Sequence, residues 1–490
     1  MLLEGMTCKA LTGPLDREIA SLCYDSRRCG QGALFFALPG DHHNGAAFAG
    51  DAVGGGAVAV VAESAAAVGN DVTWIEVANA RNAMADISAT FYGRPSETMA
   101  VTGITGTNGK TTTAFFLHHI LERTWKRCGF LGTVHYNTGG EILPAQRTTP
   151  ESPDFQELLA RMRDQGCRGV VAEISSHGVA QARVRGVHFA AGIFTNLSHD
   201  HLDYHGSMEA YFEAKASFFE MLAGSAGEER PAMVINADDV FGCRLIRRFE
   251  GRARIFSFGF GVNCDFRAVD SRSDFNGSTF RLEAKKRSFL VRLPHVGRHN
   301  TYNALAALAA GSALGINLRE SIENLAQAPQ VPGRLESVAG IRPFKVFIDY
   351  AHTPDALENV LGAVRKLSPK RIITVFGCGG DRDREKRPLM GKAAERWSDL
   401  VVVTSDNPRS ENPADIISDI EKGMTPGRYR VIEDRREAIG AAIGIARNRD
   451  IVVIAGKGHE ATQEVGGEKR RFSDEAVARY FMEEWRPERD

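Results

Sequence analysis

Short apolar runs alternate with amphipathic segments along most of the chain. In the first hundred residues, "ALFFAL" (33–38) and "GAVAVVAE" (56–63) predict buried strands, and "NARNAMADISATFYG" (79–93) predicts an amphipathic helix. "GRPSE" (93–97) then places Gly and Pro where that helix should end. We therefore predict a small N-terminal α/β domain over residues 1–98.

From Met99 the pattern changes to strand, glycine-rich loop and helix, in "MAVTGIT" followed by "KTTTAFFLHHILERT". Later apolar runs end at polar residues, in "GVVAEISSH" (169–177), "AAGIFTNLSHDH" (190–201) and "AMVINADD" (232–239). Parallel strands of a nucleotide-binding sheet look like this, with their ligands at the carboxyl ends. This pattern predicts a central domain with a mainly parallel sheet over residues 99–333.

After "VPGRLE" (331–336) four apolar runs, "KVFIDY", "RIITVFG", "LVVVTSD" and "DIVVIAG", alternate with predicted helices at 354–366, 386–396, 413–424 and 434–448. This alternation predicts a doubly wound, Rossmann-like α/β domain over residues 334–490. "GCGGDR" (377–382) departs from the dinucleotide fingerprint because Arg382 stands where the third glycine belongs, so we predict a turn there. The fold class is thus α/β with three domains.

The composition of the chain argues against several classes of binding partner and against a secreted protein. The 490 residues carry 60 basic and 61 acidic side chains, a balance that gives no electrostatic reason to bind nucleic acid or an anionic membrane. Eight scattered cysteines without a C-x-x-C pair predict reduced thiols rather than a disulfide framework. The chain lacks a signal-peptide pattern at its start, and "AVAVVA" (57–62) is too short to span a bilayer. We expect a cytoplasmic protein, without membrane insertion.

The sequence "GTNGKTT" (106–112) has the residues of a phosphate-binding loop. Such a loop needs glycines for its backbone, a lysine for the outer phosphate and a hydroxyl for Mg²⁺, and Gly106, Gly109, Lys110 and Thr111 supply them. The upstream glycine, Gly103, is one residue too far away for the usual spacing. We therefore predict a variant phosphate loop.

Two clusters near that loop suggest metal ligands. Glu173 ends an apolar strand, where a carboxylate oxygen suits Mg²⁺; a charge at a helix N-terminus is the alternative. "NLSHDHLDYHG" (196–206) holds three histidines, of which His201 and His205 are four residues apart and could share a helix face, as in a zinc site. No third zinc ligand has clear spacing, so one histidine near a Mg²⁺–phosphate site is favoured over zinc or solvated loop histidines.

Lys215 lies on the apolar stripe of the helix predicted from "SMEAYFEAKASFFEML" (207–222). Tyr211, Phe218, Phe219 and Leu222 stand at i−4, i+3, i+4 and i+7 from it. Burial there would lower the pKa of the lysine and expose a nucleophilic amine. The alternative is a lysine at the edge of the stripe that extends its ammonium to solvent.

Together these segments resemble the Mur ligase family of ATP-dependent peptidoglycan precursor synthetases. The resemblance covers essentially the whole chain and rests on "GTNGKTT", "EISSH", "TNLSHDHLDYHG", "AKASFF", "GRHNTYNALAA", "GRLE" and "DYAHTPDAL", which occur in the family's order. The branch that adds the third residue of the stem peptide is marked by "YDSRR", "TTPES", "KRPLMG", "SDNPRSENP" and "GKGHE". One such motif would be weak, whereas the ordered set is highly specific.

The resemblance implies roles for individual residues. ATP would be bound by Gly106, Thr107, Asn108, Gly109, Lys110, Thr111, Thr112, Asn300, Asn303, Arg334 and Asp349. Two Mg²⁺ ions would be held by Thr111, Glu173, His201 and a carbamylated Lys215, and Lys110, Lys215, Glu173 and His201 would be catalytic. The UDP-linked precursor would be bound by Ser26, Thr148, Thr149, Ser175, Gln181 and Arg183. The incoming amino acid would be bound by Arg387, Asp406, Asn407, Pro408, Arg409, Gly456 and Glu460.

The resemblance further implies an amide ligase of peptidoglycan synthesis, and hence of cell shape and division. Its substrates would be UDP-N-acetylmuramoyl-L-alanyl-D-glutamate and meso-diaminopimelate, and we expect a monomer. The diaminopimelate prediction depends on Arg409 in "DNPR", since a guanidinium can bind the far carboxylate that L-lysine lacks. An exposed turn arginine is the alternative. Two other functions compete: a folylpolyglutamate-synthetase-like ligase and a P-loop switch without an amine substrate.

Overall fold

A computed structural model describes residues 2–4, 6–40, 44–64, 71–198, 200, 202–224 and 230–486. The chain divides into two compact units, one of residues 1–267 and 305–321 and one of residues 268–304 and 322–490. The predicted α/β class is confirmed. No helix among the described residues is both long and apolar enough to cross a membrane.

The N-terminal segment forms a five-stranded sheet in the order β1-β5-β4-β3-β2, parallel except where β1 meets β5. Its strands are β1 (Cys8–Thr12), β2 (Ser21–Cys23), β3 (Ala33–Phe36), β4 (Ala57–Ala62) and β5 (Thr73–Val77), and its helices are α1 (Ala49–Gly54) and α2 (Ala80–Phe91). Both faces of β3 are covered: Phe35 packs in one apolar cluster, and Leu34 and Phe36 pack in the other. That double burial explains why β3 is apolar without alternation.

The central sheet of the first unit runs β13-β12-β11-β6-β10-β7-β8-β9. Its strands are β6 (Ala100–Thr105), β7 (Cys128–Leu131), β8 (His135–Asn137), β9 (Ile142–Pro144), β10 (Gly169–Glu173), β11 (Ala191–Phe194), β12 (Ala232–Asn236) and β13 (Arg254–Gly259). The helices are α3 (Lys110–Trp125), α4 (Ser152–Asp164), α5 (Ser176–Ala180), α6 (Leu202–His205), α7 (Met208–Gly224) and α8 (Val240–Phe249). Strands β13 to β7 are parallel, so β10 and β11 end beside the carboxyl end of β6.

From Phe266 onward the chain adds β14 (Phe266–Asp274), β15 (Gly277–Ala284) and β16 (Arg287–Leu293), then α9 (Arg298–Ala313) and α10 (Leu318–Leu325). A six-stranded sheet follows in the order β17-β18-β22-β19-β20-β21. Its strands are β17 (Glu336–Ser337), β18 (Lys345–Asp349), β19 (Ile372–Phe376), β20 (Leu400–Val403), β21 (Tyr429–Val431) and β22 (Ile451–Ala455), and a hairpin adds β23 (Thr462–Val465) and β24 (Glu468–Arg471). The helices are α11 (Pro354–Arg365), α12 (Lys386–Trp397), α13 (Pro413–Glu421), α14 (Arg435–Gly444) and α15 (Asp474–Glu484).

One prediction about the cysteines is wrong. The structure joins Cys23 at the end of β2 to Cys29 in a disulfide, with a Cα–Cα distance of 5.8 Å. The pair flanks "YDSRR", where a short 3-10 helix (Ser26–Arg28) turns the chain back. Composition misses the pair because a C-x₅-C spacing has no distinctive meaning until the loop geometry is known. The other six cysteines are free thiols.

Candidate active site

The phosphate loop leaves β6 at Thr105 and enters α3 at Lys110. Gly106 and Gly109 have φ angles of 146° and 86°, a region that glycine adopts without a steric penalty. A Cβ on Gly106 would also lie 2.0 Å from Oγ1 of Thr195. The loop ends at the N-terminus of α3, a helix of 16 residues. The amides and the dipole at that end of a helix suit an anion such as a phosphate.

Polar groups of the loop form hydrogen bonds with the loop's own backbone and with Asn196, which follows β11. Nζ of Lys110 donates to the carbonyl oxygens of Gly106 at 2.8 Å and Thr107 at 2.9 Å. The amide N–H of Asn108 donates to Oδ1 of Asn196 at 3.0 Å. Thr112 is buried on α3. The lysine thus has the charge and the position to reach a phosphate at the loop.

Glu173 lies at the carboxyl end of β10 and is fully buried. Its Oε2 accepts hydrogen bonds from Oγ1 of Thr111 at 2.9 Å and Oγ1 of Thr133 at 3.2 Å. Its Oε1 accepts from the amide N–H of Thr133 at 2.9 Å. These contacts put a carboxylate and a hydroxyl side by side at the first turn of α3, and hard oxygen donors of this kind suit Mg²⁺.

Lys215 is buried on α7, with 1% of its surface exposed. Its Nζ donates to the carbonyl oxygen of Gly106 at 3.0 Å and lies 4.6 Å from the centre of the Tyr211 ring. Burial, aided by the nearby charge of Lys110, lowers the pKa of Lys215 well below its usual value. The predicted buried stripe is confirmed, and the alternative of a solvent-directed ammonium is wrong.

His201 lies outside the described residues, so its predicted metal role stays a prediction. His205, the other member of the zinc alternative, has Nε2 3.0 Å from Oγ of Ser176, and its ring packs 5.0 Å from that of Tyr211. Among the described residues, no three His, Cys, Asp or Glu side chains form a metal-binding group.

Four of the residues expected to bind the precursor form one connected group beside Glu173. Oγ1 of Thr149 donates to the Glu173 carbonyl at 2.9 Å and lies 3.1 Å from Oγ of Ser175. Arg183 donates from Nη1 to the Thr149 carbonyl at 2.9 Å and from Nη2 to Oε1 of Gln181 at 2.5 Å. Thr148 extends the group, because its Oγ1 lies 3.1 Å from that of Thr133.

Ser26 begins the short 3-10 helix inside the Cys23–Cys29 loop. Asp25 caps this helix by accepting the amide N–H of Arg27 at 3.1 Å. The hydroxyl of Tyr24 donates to Oδ2 of Asp154 on α4 at 2.5 Å. Tyr24, which lies inside the same loop, thereby contacts α4, the helix that begins at Ser152, the last residue of "TTPES".

The second unit holds the other residues predicted to bind nucleotide. Nδ2 of Asn303 donates to Oδ1 of Asn300 at 3.1 Å, and both residues lie on α9. Asp349 ends β18 and accepts the amide N–H groups of Leu335 at 2.6 Å and Ala351 at 2.8 Å. Burial raises the pKa of Asp349 to about 6, although the charge of Arg334 opposes the shift. Arg334 lies over the Tyr350 ring at 4.9 Å.

The residues predicted to bind the amino acid meet where β20 and β22 end. Nδ2 of Asn407 donates to Oε2 of Glu460 at 2.7 Å. Asp406 is buried, and a Cβ on Gly456 would lie 2.5 Å from its Oδ2, so only glycine fits there. Nη1 of Arg409 donates to the Gly380 carbonyl at 2.6 Å. Pro408 stands between Asn407 and Arg409, and its carbonyl accepts the Glu411 N–H at 3.0 Å.

Arg387 is also fully buried, on α12. Its guanidinium donates to both oxygens of Glu411, at 2.8 and 3.1 Å, and to Oδ2 of Asp419 at 3.0 Å. These two acids account for much of its donor capacity. Contact between Arg387 and a substrate stays a prediction.

Sequence reasoning missed two residues of these clusters. Thr133 donates to both oxygens of Glu173; the available signal was a hydroxyl two residues after the apolar run "FL" that ends β7. Lys457 donates to Oδ1 of Asn407 at 2.9 Å and to Oε2 of Glu460 at 3.0 Å. Its signal was a lysine between two glycines directly after β22.

Models of three Mur ligase domains match this chain. The Mur ligase catalytic domain matches residues 18–92, the Mur ligase middle domain residues 104–311 and the Mur ligase glutamate ligase domain residues 333–458. The middle-domain match contains the phosphate loop, Glu173 and Lys215. The glutamate-ligase match contains the "DNPR" residues.

Relatives and solved structures agree with these matches. The UDP-N-acetylmuramoyl-L-alanyl-D-glutamate–2,6-diaminopimelate ligase of Solibacter usitatus is 46% identical, over 95% of this chain and 94% of its own. A solved structure of a ligase with that name is 34% identical, covers 95% of each chain and has a TM-score of 0.69. A Mycobacterium tuberculosis folylpolyglutamate synthase complexed with ADP and AMPPCP shares the fold at 21% identity over 75% of this chain and 91% of its own, with a TM-score of 0.62. This chain belongs to the Mur ligase family.

Proposed function

We propose that this protein is an ATP-dependent amide ligase of peptidoglycan synthesis that joins meso-diaminopimelate to UDP-N-acetylmuramoyl-L-alanyl-D-glutamate. The observation that carries the ligase proposal is the 3.0 Å hydrogen bond from Nζ of Lys215 to the Gly106 carbonyl. This hydrogen bond brings a buried amine to the phosphate loop. A nucleotide switch, which only binds and hydrolyses the nucleotide, does not need such an amine. Diaminopimelate itself is proposed from the "DNPR" residues and from the names of the relatives.

The reaction needs a better leaving group than a carboxylate offers. The side-chain carboxylate of the D-glutamyl residue would attack the γ-phosphorus of ATP, releasing ADP and forming an acyl phosphate. The amine of diaminopimelate would then attack the acyl carbon, losing a proton as phosphate departs and the amide forms. Lys110 lies at the phosphate loop. Its ammonium would stabilise the negative charge on the phosphoryl group while that group is transferred from ATP to the carboxylate.

The residues around Glu173 fit a magnesium site because they supply oxygen donors at one end of the phosphate loop. Thr111, Glu173 and His201 would hold Mg²⁺, which offsets phosphate charge during transfer when bound. An uncharged Lys215 amine can react with CO₂, forming an N–C bond and losing a proton, and the resulting carbamate would supply a further anionic oxygen for a second ion. The lowered pKa of Lys215 favours that uncharged amine.

The test is phosphate release from ATP by the whole protein, with UDP-N-acetylmuramoyl-L-alanyl-D-glutamate and a panel of amino acids. We expect release only when precursor and meso-diaminopimelate are both present. A folylpolyglutamate-type ligase would instead respond to a reduced folate with L-glutamate, and a nucleotide switch would release phosphate without any amine. Either result would contradict the proposal.

A further inference from the structure

Lys457 is a buried cation with all its donors in use. Its side chain has 0% exposure. Nζ donates to Oδ1 of Asn407 at 2.9 Å, to Oε2 of Glu460 at 3.0 Å and to the Thr462 carbonyl at 2.7 Å. An ammonium has three N–H bonds, so these partners satisfy it completely. Two of the three belong to the group predicted to bind the amino acid.

The backbone on either side lets this lysine turn inward. Gly456 and Gly458 have φ angles of 115° and 54°, which favour glycine. A Cβ on Gly458 would lie 2.8 Å from Cβ of Tyr350. The glycines of "GKGHE" therefore shape a tight turn at the end of β22, with Lys457 directed into the protein.

The lysine helps to determine which way the Asn407 amide faces. Oδ1 of Asn407 receives two donors, Nζ of Lys457 and the amide N–H of Glu464 at 3.0 Å. Because an amide oxygen only accepts, this end of the side chain must face these donors, and Nδ2 must face Glu460. The reversed amide would place its N–H groups against both donors and leave them unpaired at a buried position.

Lys457 also makes the two carboxylate oxygens of Glu460 different, because it binds only one of them. Oε2 accepts from Lys457 and from Nδ2 of Asn407. Oε1 accepts no hydrogen bond from any residue within the described ranges, and the side chain is 32% exposed. One oxygen is thus fixed inside the protein while the other is open to the ammonium of a ligand.

We propose that Lys457 is a positioning residue for the amino-acid substrate, acting through Asn407 and Glu460. It fixes the amide of Asn407 and holds Glu460 so that Oε1 meets the ammonium of an amino acid carrying a second, distant carboxylate. This inference rests on the proposed function. It predicts that loss of Lys457 weakens amino-acid binding and leaves the binding of ATP and precursor intact.

The test compares wild-type protein with Lys457→Met and Lys457→Gln, measuring KM and kcat for each substrate. We expect at least a tenfold rise in KM for the amino acid with Lys457→Met, a smaller rise with Lys457→Gln, whose amide can still donate to Asn407, and unchanged KM for ATP and precursor. Lys392→Met, which removes an exposed lysine on α12 of the same unit, is the matched control and should behave as wild type. A fall in kcat with the amino-acid KM unchanged would overturn the proposal.

A double-mutant cycle separates positioning from a general effect on folding. If Lys457 acts through Asn407, Lys457→Met should change the amino-acid KM much less in an Asn407→Ala background than in wild type. Equal fold-changes in both backgrounds would overturn that route. The wild-type arm reports on the proposed function by itself, and every variant is compared on whichever amino acid of the panel the wild-type enzyme uses best. Failure of the diaminopimelate assignment and failure of the Lys457 inference are therefore distinguishable.

Discussion

Oγ1 of Thr111 donates a hydrogen bond to Oε2 of Glu173 across 2.9 Å. The two residues belong to the first turn of α3 and to the end of β10, the strand that pairs with β6 in parallel register. The pairing of β6 with β10 thus brings the hydroxyl at the start of α3 to a carboxylate 62 residues later in the chain. Thr133 holds the other side of the same carboxylate at 2.9 Å, so its orientation is set before any ligand arrives.

Replacing Glu173 with Ala should raise the Mg²⁺ concentration needed for half-maximal activity and lower kcat by about 100-fold, as when an electrostatic contact of the transition state is removed. The affinity for the UDP-linked precursor should stay unchanged. Steady-state assays across a Mg²⁺ series, with precursor binding by calorimetry, measure both. Glu157→Ala, which removes an exposed carboxylate on α4, is the control. Loss of precursor affinity at an unchanged Mg²⁺ requirement would identify Glu173 as a substrate ligand instead.

Lys215→Ala should abolish ligation, because the buried amine that would carry the carbamate is gone. A short carboxylic acid added to the assay should restore part of the activity by supplying the missing oxygen ligand. Lys215→Arg should not recover activity, since a guanidinium stays charged and does not form a carbamate. Lys392→Ala, at an exposed position on α12, serves as control. Full activity in Lys215→Ala would exclude the carbamate role.

The buried imidazole of His295 should make stability fall in acid. Its Nε2 lies 3.0 Å from the Pro329 carbonyl, and burial lowers its pKa to about 4. In the unfolded chain the pKa is about 6.5, so protons favour unfolding as the pH falls from about 6.5 to about 4, by up to about 3 kcal/mol. Urea unfolding at several pH values should show a weaker acid loss for His295→Gln than for wild type, whereas the exposed His188→Gln should match wild type. Parallel curves for wild type and His295→Gln would contradict this prediction.

The elements and the local chemistry of this protein are readable from its sequence, whereas its long-range contacts are not. Apolar periodicity located α7 and placed Lys215 on its buried face, and the structure confirms both. The "LVVVTSD" run located β20 as well. Asn407 and Lys457 are 50 residues apart, however, and their 2.9 Å contact depends on β20 and β22 ending at the same edge of the sheet. The hairpin of β23 and β24, which delivers Glu464 to Asn407, has no comparable apolar pattern.

The choice of amino acid should depend on Arg409. Its backbone φ is 52°. The side chain is held by Nη1 donating to the Gly380 carbonyl at 2.6 Å and by Nε lying 3.5 Å from Oε2 of Glu464. Nη2 donates no hydrogen bond to any residue in the described part of the chain, and the side chain is 24% exposed. The guanidinium thus keeps a donor for the far carboxylate of meso-diaminopimelate.

L-Lysine has no group to pair with that donor, and sites built around such a polar contact can reject the analogue that lacks it by about 10⁴-fold. We expect near-exclusive use of meso-diaminopimelate by the wild-type enzyme and loss of that use in Arg409→Ala. Arg409→Lys should also fail, because an ammonium is a point charge without the planar fork by which a guanidinium can keep the Gly380 contact and bind a carboxylate. The ratio of kcat/KM for the two amino acids measures this selectivity, with Arg382→Ala as the control for an exposed arginine of the neighbouring loop. Comparable turnover of L-lysine and meso-diaminopimelate by the wild-type enzyme would refute the assignment, since the guanidinium would then contribute nothing to the selection.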